Sequence, residues 1–237
     1  MSMDNSFFNK FVNDKNQSSS DFIKSNDIKN KFLYPYLPTI VVDNFYEDPI
    51  LWREFALDQQ YFKGNRGNWP GLRTELLHNI NIDLFQVVMK KLLFVLKDYG
   101  ITQVSELETG FQIIDETYGR GWVHDDDPTF QCAGVIYLNE DAPLGSGTVI
   151  YEDSPDFSGE KYAELFKTDV NNGSQEERDV YAKYREEQVS LFKKTITVEN
   201  VFNRMILFDS RCWHSAEHFF GTTTENSRLT QVFFIKS

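Results

Sequence analysis

The 237-residue sequence is short of cysteine, of positive charge and of long apolar runs. Cys132 and Cys212 are its only cysteines. They are too few and too far apart for the disulfide framework of a small secreted domain, and they read as small buried hydrophobes. The 24 Lys and Arg stand against 36 Asp and Glu, for a net charge of −12. With no basic excess to displace counterions from a phosphate backbone, no nucleic-acid partner is expected. No apolar run approaches the roughly 20 residues of a membrane-spanning helix. The opening residues, Met1 to Asp14, lack the apolar stretch of a secretory signal. The expectation is a soluble, cytoplasmic protein with reduced thiols and no membrane partner. Oligomeric state is not legible.

Against these shortages stand 41% hydrophobic and 15% aromatic residues, 21 of them Phe. That is enough apolar material for a sizeable core, and the length fits one domain over residues 1–237. Residues 1–30, rich in Asn, Asp, Ser and Lys, read as a mobile or loosely docked segment with Phe7, Phe8 and Phe11 as anchors. Pro38-Thr39-Ile40-Val41-Val42 suits a strand. Asp48-Pro49 opens a helix carrying Leu51, Trp52, Phe55 and Ala56 at helical spacing. A second helix is predicted over Asp83–Leu96, with Gly100 to end it. Both helices read as packing elements.

From residue 110 onward the pattern predicts short strands: Phe111–Glu116, Gly121–Asp125, Thr129–Leu138, Gly147–Tyr151, Thr195–Val198, Asn203–Phe208 and Arg228–Ile235. Turn-formers such as Gly119, Asn139, Pro143, Gly145 and Gly221 separate many of them, which indicates a sandwich or barrel. The charged stretch 154–194, with Tyr162/Phe166 and Tyr181/Tyr184 at helical spacings, reads as a helical insertion. Its role, lid or solvated flap, stays open.

The chain has four histidines, at 78, 124, 214 and 218. In Trp122-Val123-His124-Asp125-Asp126-Asp127, a strand running through the motif places His124 and Asp126 on one face and Asp125 on the other. Asp127 competes with Asp126 if the strand has already turned. A third ligand must come from a distant segment, and His214 and His218 both follow the strand around Met205-Ile206-Leu207-Phe208. Two imidazoles and one carboxylate on one face of a metal leave three coordination positions open, the arrangement of non-haem Fe(II) oxygenases. By itself His-x-Asp more often marks a surface turn. Further on, Arg228 and Thr230 share a face of an apolar strand, where a guanidinium and a hydroxyl can clamp a carboxylate. A structural ion pair is the competing reading of Arg228. No role is assigned to His78, and Trp122 and Trp213 read as packing aromatics beside the candidate ligands.

Taken in order, His124-x-Asp126, the strand Ala133–Asn139, the turn Gly145-Ser146-Gly147-Thr148, Trp213-His214 and Arg228-x-Thr230 resemble the 2-oxoglutarate/Fe(II)-dependent dioxygenases, nearest to their prolyl 4-hydroxylase-like branch. Val41-Val42-Asp43-Asn44-Phe45 with Asp48-Pro49 resembles that branch's N-terminal strand and helix. The likeness spans about residues 38–237. It implies a mainly β fold with flanking helices, a double-stranded β-helix (cupin-like jelly-roll). It also implies Fe(II) held by His124, Asp126 and His214, with 2-oxoglutarate bound by Arg228 and Thr230 and contacted by Tyr118. His214 is preferred to His218 because it directly follows Trp213, as in the family, and the insertion accounts for the long separation of His124 from His214. The implied activity is hydroxylation of a C–H bond with O2, releasing succinate and CO2, on a small-molecule or peptide substrate that is amino-acid-derived. Two other readings remain: a cupin-like metal enzyme that needs no 2-oxoglutarate, and a non-catalytic jelly-roll binding module.

Overall fold

The computed structural model describes residues 36–63, 69–162 and 173–237. The anchors expected at Phe7, Phe8 and Phe11, and Phe166 of the insertion, lie outside the described residues. Two antiparallel sheets face each other. The larger contains β1 (Ile40–Val42), β2 (Phe62–Lys63), β3 (Leu72–Arg73), β4 (Glu106–Ile114), β5 (Cys132–Tyr137), β8 (Met205–Asp209) and β10 (Arg228–Lys236), in the order β1-β8-β5-β10-β4-β3-β2. The smaller contains β6 (Thr148–Tyr151), β7 (Lys194–Val198) and β9 (Trp213–Ala216), in the order β7-β6-β9. This is the double-stranded β-helix expected from the sequence, with helices on its back.

Alternation along each strand decides which side chains meet. On the outer face of the large sheet, Phe111, Ile113, Cys132, Ile136, Met205, Leu207, Leu229, Phe233 and Ile235 form the main core with Trp52 and Ala56 of α1 (Pro49–Leu57) and Val88, Leu92 and Leu96 of α3 (Ile82–Leu96). A short helix, α2 (Leu77–Ile80), precedes α3. Asp48 caps α1 as expected, accepting from the Leu51 N–H at 3.2 Å. Asn81 caps α3, which gives way to a 3₁₀ turn before Gly100 adopts φ 83°.

On the inner face, Ala133, Tyr137, Ile206 and Phe208 pack against Ile150 and Val198 of the small sheet. The small sheet's own outer face, Val149, Tyr151 and Trp213, packs with Val189 and Phe192 at the end of α5 (Gln175–Ser190). Where it is described, the stretch 154–194 carries two helices, α4 (Gly159–Tyr162) and α5, and the end of α5 covers the small sheet. Ser174 and Glu177 close a capping box at the start of α5.

Three sequence expectations need correction. Residues 121–125 form no strand; they make one isolated bridge, His124 to His214. His214, expected only to follow the strand around Met205–Phe208, lies within β9, a strand the pattern did not mark. Strand β4 begins at Glu106, before the expected Phe111, because its first residues pair with the end of β10 (Leu107 with Ile235, Glu106 with Lys236).

Gly134 shows how tightly the core is closed. A Cβ there would stand 2.1 Å from the Ile206 carbonyl oxygen and 2.5 Å from the Phe233 ring. Both belong to neighbouring central strands, so neither can retreat. Gly134→Ala is expected to cost about 3 kcal/mol or more in urea unfolding, the upper end of the usual cost of overpacking, because the clash is with backbone that cannot move.

Candidate active site

Two backbone hydrogen bonds assemble the centre. The His124 N–H donates to the His214 carbonyl at 3.0 Å and the His214 N–H to the His124 carbonyl at 2.8 Å. This places the two imidazoles directly opposite one another, with ring centroids 4.3 Å apart. The Asp126 N–H donates to the Ser210 carbonyl at 2.9 Å and turns that carboxylate toward the pair. One ligand atom from each of His124, Asp126 and His214 lies within 4.8 Å of the other two.

Each histidine has its Nδ1 against a backbone carbonyl: His124 on Trp122 at 2.9 Å, His214 on Cys212 at 3.0 Å. A carbonyl only accepts, so the proton sits on Nδ1 and the Nε2 lone pair is free. Both Nε2 atoms face Asp126, at 3.9 Å from His124 and 3.6 Å from His214. These separations are too long for hydrogen bonds, and an unprotonated Nε2 has nothing to donate. Three lone-pair donors aimed at one point without bonding each other are the donor set of a cation site. Burial pushes the His214 pKa down to about 4, with Asp126 opposing. His214 is therefore neutral near pH 7, the form that ligates a metal.

The segment carrying His124 is held in place by the insertion. The Gln188 side-chain amide accepts from the Val123 N–H at 3.0 Å and donates to the Val123 carbonyl at 2.6 Å, as a neighbouring strand would. Trp122 packs edge-on against Tyr162 and Tyr181. Gln188 was not legible as functional: a lone Gln in a charged helix carries no local signal.

A cavity of about 820 Å³ opens between the sheets, lined by His124, Asp126, His214 and Arg228 together. Arg228 is 3% exposed. Its Nε donates to the Ser146 carbonyl at 3.3 Å, and its guanidinium lies 5.6 Å from the Tyr137 ring. Burial lowers its pKa, and Tyr137 is the group that opposes this. No carboxylate among the described residues takes part, so the ion-pair reading of Arg228 finds no partner. Thr230 is fully buried and its Oγ1 has no hydrogen-bond partner. A buried guanidinium without a counter-ion among the described residues, with an orphaned hydroxyl two residues along the same strand face, is the environment expected behind a bound carboxylate, although Thr230 itself does not line the cavity.

Tyr118, in a 3₁₀ turn, is not among the residues lining the cavity; its carbonyl accepts from Arg185. The tyrosine beside Arg228 is instead Tyr137, whose hydroxyl donates to Thr148 at 2.7 Å. His218 is exposed and outside the cluster. The Asp127 carboxylate accepts from the Thr129 N–H in a turn. His78 packs its ring on Phe85.

Residues 34–235 match the model of a family described as a family of unknown function (DUF6445). The chain belongs to this family. No curated protein matches it. Solved structures similar to this DUF6445 member share its fold at low sequence identity. HygX from Streptomyces hygroscopicus, solved with nickel and 2-oxoglutarate, is 10% identical with a TM-score of 0.51 and covers 84% of this chain and 83% of its own. A Pseudomonas putida prolyl-4-hydroxylase is 13% identical with a TM-score of 0.50, covering 84% of this chain and 91% of its own. The epimerase SnoN, solved with Fe3+, alpha ketoglutarate and nogalamycin RO, is 13% identical with a TM-score of 0.50, covering 84% and 78%. At these identities the likeness establishes the fold. No helix among the described residues is long and apolar enough to cross a membrane.

Proposed function

We propose that this protein is a non-haem Fe(II)- and 2-oxoglutarate-dependent oxygenase that hydroxylates a C–H bond of a small-molecule or peptide substrate. The observation that carries the reading is one cavity lined by both a two-histidine, one-carboxylate donor set and a buried arginine without a counter-ion among the described residues. His124, Asp126 and His214 would hold the metal; Arg228, with Thr230, would hold the distal carboxylate of 2-oxoglutarate. When bound, the pair supplies the oxidising chemistry: one oxygen atom of O2 goes to the cosubstrate, which leaves as succinate and CO2, and the other to the substrate carbon.

The chain's own contribution is geometric and electrostatic. The carbonyls of Trp122 and Cys212 fix both imidazole tautomers, so neither ring has to shed a proton to bind the metal. Asp126 brings negative charge into a half-buried site. The apolar inner face, including Phe208 tilted against His214 with ring centroids 4.3 Å apart, keeps bulk water from the ring.

The test is succinate formation from 2-oxoglutarate that requires added Fe(II), together with anaerobic binding of 2-oxoglutarate to the metal-loaded protein. Metal binding with no affinity for 2-oxoglutarate would favour a cupin-like enzyme of another type. No metal binding at all would leave a non-catalytic jelly-roll.

Gln188 acts as a positioning residue in this scheme. Gln188→Leu orphans the Val123 N–H and carbonyl and loosens the segment bearing His124. It is expected to weaken Ni(II) or Fe(II) affinity by about tenfold or more, in the range of lost outer-shell partners, with no ligand removed. Calorimetric metal titration of the variant reads this directly.

A further inference from the structure

We infer that Arg73 is an anchor for the substrate, and that the substrate is a small molecule presenting a carboxylate to it; the inference rests on the oxygenase reading above.

Arg73 closes β3 and pairs with Gln112 of β4, which pairs in turn with Thr230 of β10. Directly opposed residues share a face, so Arg73 stands in the inner-face row of Thr230. It lines the same cavity as His124, Asp126 and Arg228. Its guanidinium lies 4.3 Å over the Trp69 ring. Stacking in this way fixes the guanidinium plane and leaves its N–H edge free for a bidentate acceptor. No carboxylate among the described residues lies within ion-pair range of it, and its buried Nε has no hydrogen-bond partner. The adjoining sequence 64–68 contains no acid.

The acids that act on Arg73 electrostatically are Asp126 and Glu108. Glu108 sits on the same face of β4 and also lines the cavity, yet it does not close on Arg73. Burial lowers the Arg73 pKa to about 10, so the group is cationic near neutral pH. The cavity thus holds a buried guanidinium at Arg228 and a half-buried one at Arg73 whose Nε is enclosed, and a single cosubstrate carboxylate satisfies only Arg228. A partly desolvated cation with an enclosed, unpaired Nε is costly unless an anion meets it, and the second anion is left for the substrate. The volume of about 820 Å³ lies within the range of small-molecule sites, which favours a compact carboxylate over a folded protein surface. The same group occurs on a free amino acid and on the C-terminus of a short peptide.

The experiment uses the full chain loaded with Ni(II) and 2-oxoglutarate. The probes are the free L-amino acids and their carboxamides, with triglycine and triglycinamide as the peptide arm. Binding is read by Trp fluorescence, sensitive to Trp69 beside Arg73, and by thermal midpoint. At least one acid should bind about tenfold or more tightly than its amide, the worth of one charge-assisted contact. Arg73→Gln should erase that preference and Arg73→Lys should keep part of it, while both retain wild-type affinity for 2-oxoglutarate. Preference confined to triglycine over its amide would place the carboxylate on a peptide end and overturn the small-molecule assignment. Equal binding of acids and amides, an undiminished preference in Arg73→Gln, or no probe binding while 2-oxoglutarate still binds would overturn the anchor. If 2-oxoglutarate itself fails to bind, the oxygenase reading falls and the anchor with it.

Discussion

Asp126→Asn is expected to lower affinity for Fe(II) or Ni(II) by about a thousandfold, more than the loss of any outer-shell contact. The substitution keeps the shape and removes only the charge. The two imidazoles remain opposed through the His124–His214 bridge, and the Asp126 N–H keeps its bond to Ser210. What disappears is the one anion facing both Nε2 atoms, at 3.6 and 3.9 Å. A dication between two neutral imidazoles in a half-buried site then has no formal counter-charge. Because the carboxylate makes no hydrogen bond to either ring, the metal-free fold should unfold at nearly the same urea concentration as the parent. Anaerobic metal titration beside urea unfolding measures both halves. Unchanged metal affinity would remove Asp126 from the donor set.

Arg228→Met separates function from stability in the opposite sense. Loss of two charge-assisted hydrogen bonds, each about 1.5–3 kcal/mol, should weaken 2-oxoglutarate binding by about a hundredfold or more. The ligand-free protein should lose nothing and gain about 1–3 kcal/mol, because a buried charge without a counter-ion is replaced by an apolar chain of similar reach. Arg228 is 3% exposed, and its hydrogen bond to the Ser146 carbonyl is long, at 3.3 Å. Calorimetric titration of 2-oxoglutarate and the urea midpoint of the metal-free protein report the two effects. A large loss of stability with cosubstrate affinity intact would mark Arg228 as a structural residue instead.

Much of the architecture was legible because its signals are local. Asp48-Pro49 announces a helix start through a cap and a fixed φ, and the apolar spacing of Val88, Leu92 and Leu96 announces a buried face. The long β10 strand is visible for the same reason, as a nearly continuous β-branched and aromatic run. The short strands β2 and β3 gave no such signal. Each is two residues long, and they exist only because β4 offers them an edge. Arg73 stands on one of them, which is why it could not be singled out in the sequence.

The site was legible in its residue types and not in its means of assembly. Strand parity placed His124 and Asp126 on one face, yet residues 121–125 do not form a strand; a single bridge to β9 and the Gln188 clamp hold them. The preference for His214 over His218 came from its place after Trp213; in the structure, alternation in β9 sends Trp213 outward and His214 inward, while His218 falls beyond the strand and is exposed. Tyr118 looked suitable by its place in the chain, but the tyrosine beside Arg228 is Tyr137, delivered by the pairing of β5 with β10.

What the sequence determined by itself is the supply of parts: the apolar periods that make two sheets and their helices, the imidazoles and carboxylates, and an arginine in an apolar strand. Only the tertiary structure decided which of them share a cavity, which histidine turns inward, and that Arg228 and Arg73 have no carboxylate beside them among the described residues. The reason is physical. Periodicity and capping act over a few residues, whereas desolvation and counter-ion balance depend on every chain segment that closes around a group.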